Sequence, residues 1–286
     1  MYIDLSNMKS GFCDRLRQIT FCIARDKLKN KKNKKIEIFE ITNSECPYKF
    51  STLLNIKGYE VKNVKKKKLK SIKMNPFNSS ISINTCEEFN DDVGINNYNL
   101  LHEWKKTYRL LEPKKNIISK VNKITLNKKY VCIHTRLTDK LVNFKEYILE
   151  IPKKDVIYKK QLQDFFNEIS KIIPKKYKNI YLSSDERFYR DKLINILNIK
   201  YKIINKKIRF NNNSLRQTSG RDFITDLFVM ANSECIISTT GGNVPLTALL
   251  ISKKTQIYIK WTLFKKVYKF YNIIRMIIFS VRFFKF

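Results

Sequence analysis

Residues 130–140 read YVCIHTRLTDK, and this stretch decides how the chain is to be folded. Tyr130–His134 is a short apolar run of strand length, with lysines before it and polar residues after it. A run without polar alternation suits a strand covered on both faces, as in a parallel sheet. Arg136, Asp139 and Lys140 follow at once. Charged groups are costly inside such a strand but natural at its mouth. In open α/β sheets, ligands bind beyond the carboxyl ends of the strands. An arginine there suits a diphosphate, because its planar fork grips phosphate oxygens two at a time and keeps its charge. A plain Arg136–Asp139 ion pair at a strand end accounts for the same residues.

Toward the C-terminus, helices and strands alternate. Apolar residues from Tyr158 to Ile173 recur at helical spacing and stop at Pro174. Asn179–Leu182, Tyr201–Ile204, Cys235–Ser238 and Gln256–Ile259 read as strands; Phe188–Leu197, Asp222–Ala231 and Val244–Ile251 read as helices. That order implies a parallel sheet with helices on both faces, and directs attention to the positions after His134, Leu182 and Ser238. Toward the N-terminus, Tyr2–Leu5, a loop with Gly11, a helix carrying Leu16, Ile19, Ile23 and Leu28, and Ile36–Ile41 form a β–loop–α–β start. Tyr98–Leu111 reads as a helix ended by Pro113, and Asn116–Leu126 as a connecting helix. We therefore expect an α/β chain of two Rossmann-like, doubly wound domains, 1–126 and 127–260, followed by a tail, 261–286. No internal repeat is visible.

The formal net charge is +33 over 286 residues. Most of it reads as compositional bias, because lysine, isoleucine and asparagine are heavily used throughout. The rest admits an anionic partner. No nucleic-acid-binding module is recognisable, so a specific nucleic-acid partner is not expected. The six cysteines form no CxxC pair, and Cys22, Cys132 and Cys235 lie in apolar runs; they read as reduced, in an intracellular, cytoplasmic protein without a signal peptide. With two histidines and no ligand-spaced cluster, no metal is expected.

Three further places bear on chemistry. Thr239-Thr240-Gly241-Gly242-Asn243 joins a strand to a helix that has Pro245 in its first turn. Glycines allow close backbone approach, and amides at a helix start favour an anion; an ordinary tight turn explains them equally. Asp226 lies on the preceding helix, where a lone carboxylate is usually solvated unless it faces the sheet mouth. Ser183–Glu186 follows a strand, and also reads as a helix cap with early acids. The tail, Trp261–Phe286, has no acid and places Lys265, Lys266, Lys269 and Arg275 opposite Val267, Phe270, Tyr271, Ile274, Ile277 and Ile278. It reads as a basic amphipathic helix, either packed on its domain or lying against an anionic membrane.

His134–Lys140 resembles the HxRRxD element of the fucosyltransferase superfamily (α1,2-, α1,6- and protein O-fucosyltransferases), most like its α1,6 and NodZ-like branch. Ser214–Leu250 is similar to that branch's next stretch, Gly11–Leu16 to its N-terminal glycine-rich loop, and Tyr181–Glu186 to its strand ending in small and acidic residues. The resemblance covers most of 8–24 and 128–252. It implies a GT-B fold of two facing Rossmann-like domains, GDP-fucose as donor and no cofactor. It further implies that Arg136 clamps the diphosphate and His134 contacts the nucleoside. Asp226 would bind guanine, Thr239, Thr240, Gly241 and Gly242 would line the phosphates, and Asp14 would face the cleft beside Gly11 and Arg15. Asp139, Ser184 and Asp185 complete the expected donor site. The family's second arginine is Leu137 here, the second glycine of its N-terminal loop is Cys13, and frequent loop serines are Gly241 and Gly242.

No DxD appears, so the expected chemistry is metal-independent, inverting transfer to a glycan acceptor, with Arg136 stabilising the departing diphosphate and Asp14 as the other catalytic candidate. The alternatives are a GT-B transferase for another sugar nucleotide, and a non-catalytic basic protein binding nucleic acid or membrane.

Overall fold

The computed structural model describes residues 1–6, 8, 11–29, 34–43, 46–65, 97–135, 166–184, 187–204, 219–238, 243–260 and 278–279. The chain forms two compact units, Met1–Ile118 and Ser119–Phe286. The division falls within the helix Lys115–Thr125, short of the boundary expected at Asn127. Asn127 takes a left-handed turn with φ 55°, which asparagine tolerates better than most residues.

In the first unit, β1 (Tyr2–Asp4), β2 (Lys35–Phe39) and β4 (Glu60–Asn63) form a parallel sheet in the order β1-β2-β4. The helix Phe12–Leu28 connects the first two and buries ten residues, Leu16, Ile19 and Ile23 among them. It packs on the helix Asn97–Tyr108 through an edge-on contact between Phe21 and Trp104, with ring centroids 5.4 Å apart. Trp104 Nε1 donates to Thr20 Oγ1 at 2.9 Å, so the one polar atom of this buried indole is satisfied. The expected helix through Leu111 ends instead at Tyr108. Leu111–Pro113 becomes β5, antiparallel to β3 (Leu54–Ile56), because there Leu111 is buried opposite Ile56. Proline is tolerated in that position since the sheet has only two strands.

Arg15, expected to touch substrate, is instead committed to the interior of this unit. It is 1% exposed. Its guanidinium donates to the carbonyls of Ile41 at 2.8 Å and Met8 at 3.1 Å and lies 3.8 Å from Glu40. Glu40 in turn accepts from the Phe50 amide at 2.6 Å, holding the start of the short helix Phe50–Leu53. Burial raises the Glu40 carboxyl above its ordinary range, while the Phe50 amide and then Arg15 pull it back.

In the second unit, six strands run in the order β11-β10-β9-β6-β7-β8. They are β6 (Tyr130–Thr135), β7 (Asn179–Ser184), β8 (Lys202–Ile203), β9 (Cys235–Ser238), β10 (Ile257–Lys260) and β11 (Ile278–Phe279). All neighbours pair in parallel except β10 and β11. Every residue of β6 is buried, as its unbroken apolar run predicts. On one face Val131, Ile133, Ile180, Leu182, Cys235 and Ile237 form a core with the helices 166–172 and Arg187–Leu197. The other face meets the helix Gly220–Ala231, whose Val229 carbonyl accepts from the Tyr130 hydroxyl at 2.6 Å. This helix is capped by Ser219, which accepts from the Asp222 amide at 3.1 Å. The tail expectation of one helix through 261–286 is corrected at Ile278 and Phe279, which pair with Ile259 and Tyr258 on the otherwise open edge of β10. The rest of the tail lies outside the described residues. No described helix is long and apolar enough to cross a membrane.

Arg15→Met should destabilise the chain by about 3 kcal/mol, the usual cost of removing one partner from a buried pair. The Glu40 carboxyl is raised in the folded state, so its contribution is complete below its unfolded value and falls as pH rises through the folded one. Without Arg15 that rise grows, so denaturant titrations should show a larger loss at roughly pH 8 than at roughly pH 5. Equal losses at both would exclude Arg15 as the partner of an ionised Glu40.

Candidate functional site

The strand order places a topological switch point between β6 and β9. From β6 the chain builds β7 and β8 on one side, then crosses back to build β9 and β10 on the other. Crevices at such points, outside the carboxyl ends of the strands, are where doubly wound sheets bind ligands. The strands that flank this one turn polar together at that end. β6 closes with His134 and Thr135, β7 with Ser183 and Ser184, and β9 with Ser238. Register aligns Ser238, His134 and Ser183 in one row across three strands.

The contacts in this row are direct. His134 Nδ1 lies 3.3 Å from Ser238 Oγ, so the imidazole bridges the switch point. Beneath it, Asp226 projects from the helix Gly220–Ala231 and is 5% exposed. Its carboxylate accepts from the Tyr181 hydroxyl in a short hydrogen bond, and from Ser183 Oγ at 3.3 Å. Tyr181 and Ser183 are two apart on β7 and so share a face. Burial, then the adjacent Asp226 charge, holds the Tyr181 hydroxyl well above the usual tyrosine range, so it remains a donor. The same two causes hold the Cys132 thiol well above its ordinary value, so this cysteine is an inert neighbour and no nucleophile. The adjacent Thr135 Oγ1 is buried with no hydrogen-bond partner among the described residues.

The structure thus brings together His134 and Ser184, on adjacent strand ends, with Asp226 under the same strands. Arg136, Asp139, Asp185, Thr239, Thr240, Gly241 and Gly242 lie outside the described residues. In sequence they continue β6, β7 and β9 from their polar ends. In the other unit, Gly11 is the residue before the helix Phe12–Leu28. It holds an ordinary extended conformation with φ −68°, so its backbone there does not demand glycine. Its carbonyl accepts from the amides of Asp14 at 3.1 Å and Arg15 at 3.3 Å. Asp14 is partly exposed and accepts from Arg17 Nη2 at 2.8 Å. Among the described residues, no three His, Cys, Asp or Glu side chains gather as metal ligands.

Sequence reading missed Tyr181 and Ser238 as members of the site, and Arg190 beside it. Arg190, early in the helix after β7, is 8% exposed, and its charge acts on the Tyr181 hydroxyl. The available signal was the polar endings of strands that the alternation already made neighbours.

No protein-family profile matches the chain, and no curated protein matches it in sequence. Solved structures do. Fucosyltransferase NodZ from Bradyrhizobium superposes with a TM-score of 0.52 at 11% identity, over 91% of this chain and 95% of that one. NodZ α1,6-fucosyltransferase soaked with GDP-fucose gives 0.50 at 11% identity, over 91% and 94%. POFUT1 in complex with GDP gives 0.50 at 11% identity, over 91% and 98%. At such identity the likeness is one of fold, and the chain has the GT-B fold of these fucosyltransferases.

Tyr181→Phe should cost about 1.5–3 kcal/mol in urea denaturation, because a buried carboxylate loses its shortest donor. Ser183→Ala should cost about 0.5–1.5 kcal/mol, its bond being longer. If Tyr181→Phe leaves stability unchanged, Asp226 does not rest on this hydroxyl.

Proposed function

We propose that the chain is a glycosyltransferase that transfers fucose from GDP-fucose to a glycan acceptor, with inversion and without a metal. The observation that carries this reading is the polar row of Ser238, His134 and Ser183 at a switch point, in a fold shared with a fucosyltransferase solved with GDP-fucose. The HTRLTDK sequence that leaves β6 at this point supports it.

In this reading the donor diphosphate lies beyond β6 and β9. Arg136 clamps it and stabilises the charge that develops on GDP as the glycosidic bond breaks. Thr239, Thr240, Gly241 and Gly242 supply hydroxyls and backbone amides to the phosphates, together with the start of the helix Asn243–Ile251. His134 and Asp226 read the nucleoside, and Asp139, Ser184 and Asp185 border it. Asp14 acts as a catalytic carboxylate, with Gly11 shaping the loop beside it. Arg15 orders that loop from within, through the Met8 carbonyl. The enzyme works inside the cell, at the periphery of an anionic membrane. One observation favours a different sugar nucleotide: Leu137 stands where the related enzymes carry a second arginine, which changes the donor-facing chemistry.

Titration calorimetry with GDP, ADP and UDP, with and without EDTA, tests the assignment. GDP should bind preferentially and independently of EDTA. Arg136→Ala should lower turnover roughly 100- to 1000-fold with the fold intact, as for loss of one preorganised donor. Preference for another nucleotide would transfer the site to a different donor; no binding of any would refute the transferase reading.

A further inference from the structure

The opposite ends of the same strands carry a different chemistry. Lys128 and Lys129 lead into β6, and Lys175, Lys176 and Lys178 lead into β7. Lys200 precedes β8 and Lys202 begins it, and Lys253 and Lys254 precede β10. All are exposed. Hydrogen bonds make these segments neighbours. Asn179 Nδ2 donates to the Lys129 carbonyl at 3.0 Å, the Lys202 amide to the Lys178 carbonyl at 2.8 Å, and the Ile257 amide to the Glu234 carbonyl at 3.1 Å. Adjacent strands lie about 4.8 Å apart, so β10, β9, β6, β7 and β8 span about 19 Å. Across that edge, residues 126–130, 174–179, 198–202, 233–235 and 252–257 hold nine lysines, no arginine and one acid, Glu234, itself paired with Lys254 at 2.7 Å.

Two large apolar side chains stand out from the same edge: Ile199, 89% exposed at the turn into β8, and Leu126, 66% exposed before β6. Isoleucine, like lysine, is used heavily throughout the chain, but among the described residues Ile199 and Leu126 are the two most exposed large apolar side chains, and both stand on this edge. Helix macrodipoles favour a cation or two at each helix end, as where Lys128 Nζ reaches the Ile124 carbonyl at 3.2 Å. That does not require three lysines before β7.

We infer that this amino-terminal edge of the second unit's sheet docks on an anionic lipid surface. Lysines attract acidic headgroups as point charges, and Ile199 and Leu126 enter the interface between them. Nucleic acid fits less well, because its recognition favours the bidentate fork of arginine, which this edge lacks. The strands are six residues long at β6, so the two ends of the sheet are about 17 Å apart. Docking therefore leaves the switch-point end facing away from the bilayer, and it stands whether or not that end binds GDP.

The test is sedimentation of the full chain with phosphatidylcholine vesicles, with and without phosphatidylserine, at low and high salt. The chain should bind only the phosphatidylserine vesicles, and less at high salt. Each lysine near such a surface contributes roughly fivefold, so Lys175→Gln/Lys176→Gln/Lys178→Gln should weaken partition on the order of 100-fold. Ile199→Ser should weaken it several-fold at both salts. Lys57→Gln/Lys65→Gln/Lys106→Gln, in the other unit, should change it little. Lys200→Gln/Lys202→Gln serves as a second edge variant, and thermal melts followed by circular dichroism confirm that each variant is folded. The inference is overturned if the wild-type chain ignores phosphatidylserine, or if the two triple variants lose binding equally. It is overturned too if duplex nucleic acid binds more tightly and the edge triple, but not Ile199→Ser, abolishes that binding.

Discussion

Strand β6 has to satisfy two demands that conflict along its length. Its first residues are buried between sheet neighbours and helices on both faces, where only apolar side chains or fully bonded polar ones are tolerated. Its last residues must present polar groups where the sheet ends. Tyr130 shows how the first demand is met: the ring fills the core, and its hydroxyl is bonded to the Val229 carbonyl. His134 shows the second, being buried yet held by Ser238 of the next strand. The second solution depends on β9 lying beside β6, so the crossover that reverses the strand order also supplies the partner that makes a histidine there tolerable.

Asp226 extends the same logic to the layer below. A carboxylate with 5% exposure is stable only if donors face it, and Tyr181 and Ser183 supply two from a single strand. Because both donors come from β7, the helix Gly220–Ala231 is fixed to the sheet at the level of the row formed by Ser238, His134 and Ser183. The buried pair Arg15–Glu40 does comparable work in the first unit. It ties the loop at Met8, the strand exit at Ile41 and the start of the helix Phe50–Leu53 to one another. In both units, buried charge fixes how loops and helices meet the sheet.

What the sequence disclosed follows from this division. The parallel strands of the second unit were legible because continuous apolar runs separated by helical periodicity have few other readings, and His134 stood at the end of one. Tyr181 was not legible as part of the site. Its bond to Asp226 spans 45 positions and depends on register. Arg15 was misread for a related reason. An arginine after a glycine loop looks like a ligand contact until the carbonyls of Met8 and Ile41 are brought to it by packing. Leu111 continued a helical pattern that Pro113 closed, and only the pairing with β3 decided for a strand. In each case the local preference was weak and a distant partner outweighed it.

Charge is where bias and design are hardest to separate, and position separates them. A random excess of lysine would decorate both ends of the second unit's strands alike. Among the described residues, β6, β7 and β9 instead close on His134, Thr135, Ser183, Ser184 and Ser238, none of them lysine, while the segments leading into the same three strands hold five lysines; β10 closes on Lys260. The carboxyl end is also the end where the Asp226 charge lies buried. A sheet arranged in this way presents an even, diffuse positive field at one end, and at the other a compact set of hydrogen-bonding groups around one carboxylate. The first suits a broad anionic surface that needs no fixed geometry, since lysine charges act at a distance within a Debye length. The second suits a small ligand held by directional bonds. One parallel sheet can present both because parallel strands have two chemically distinct ends.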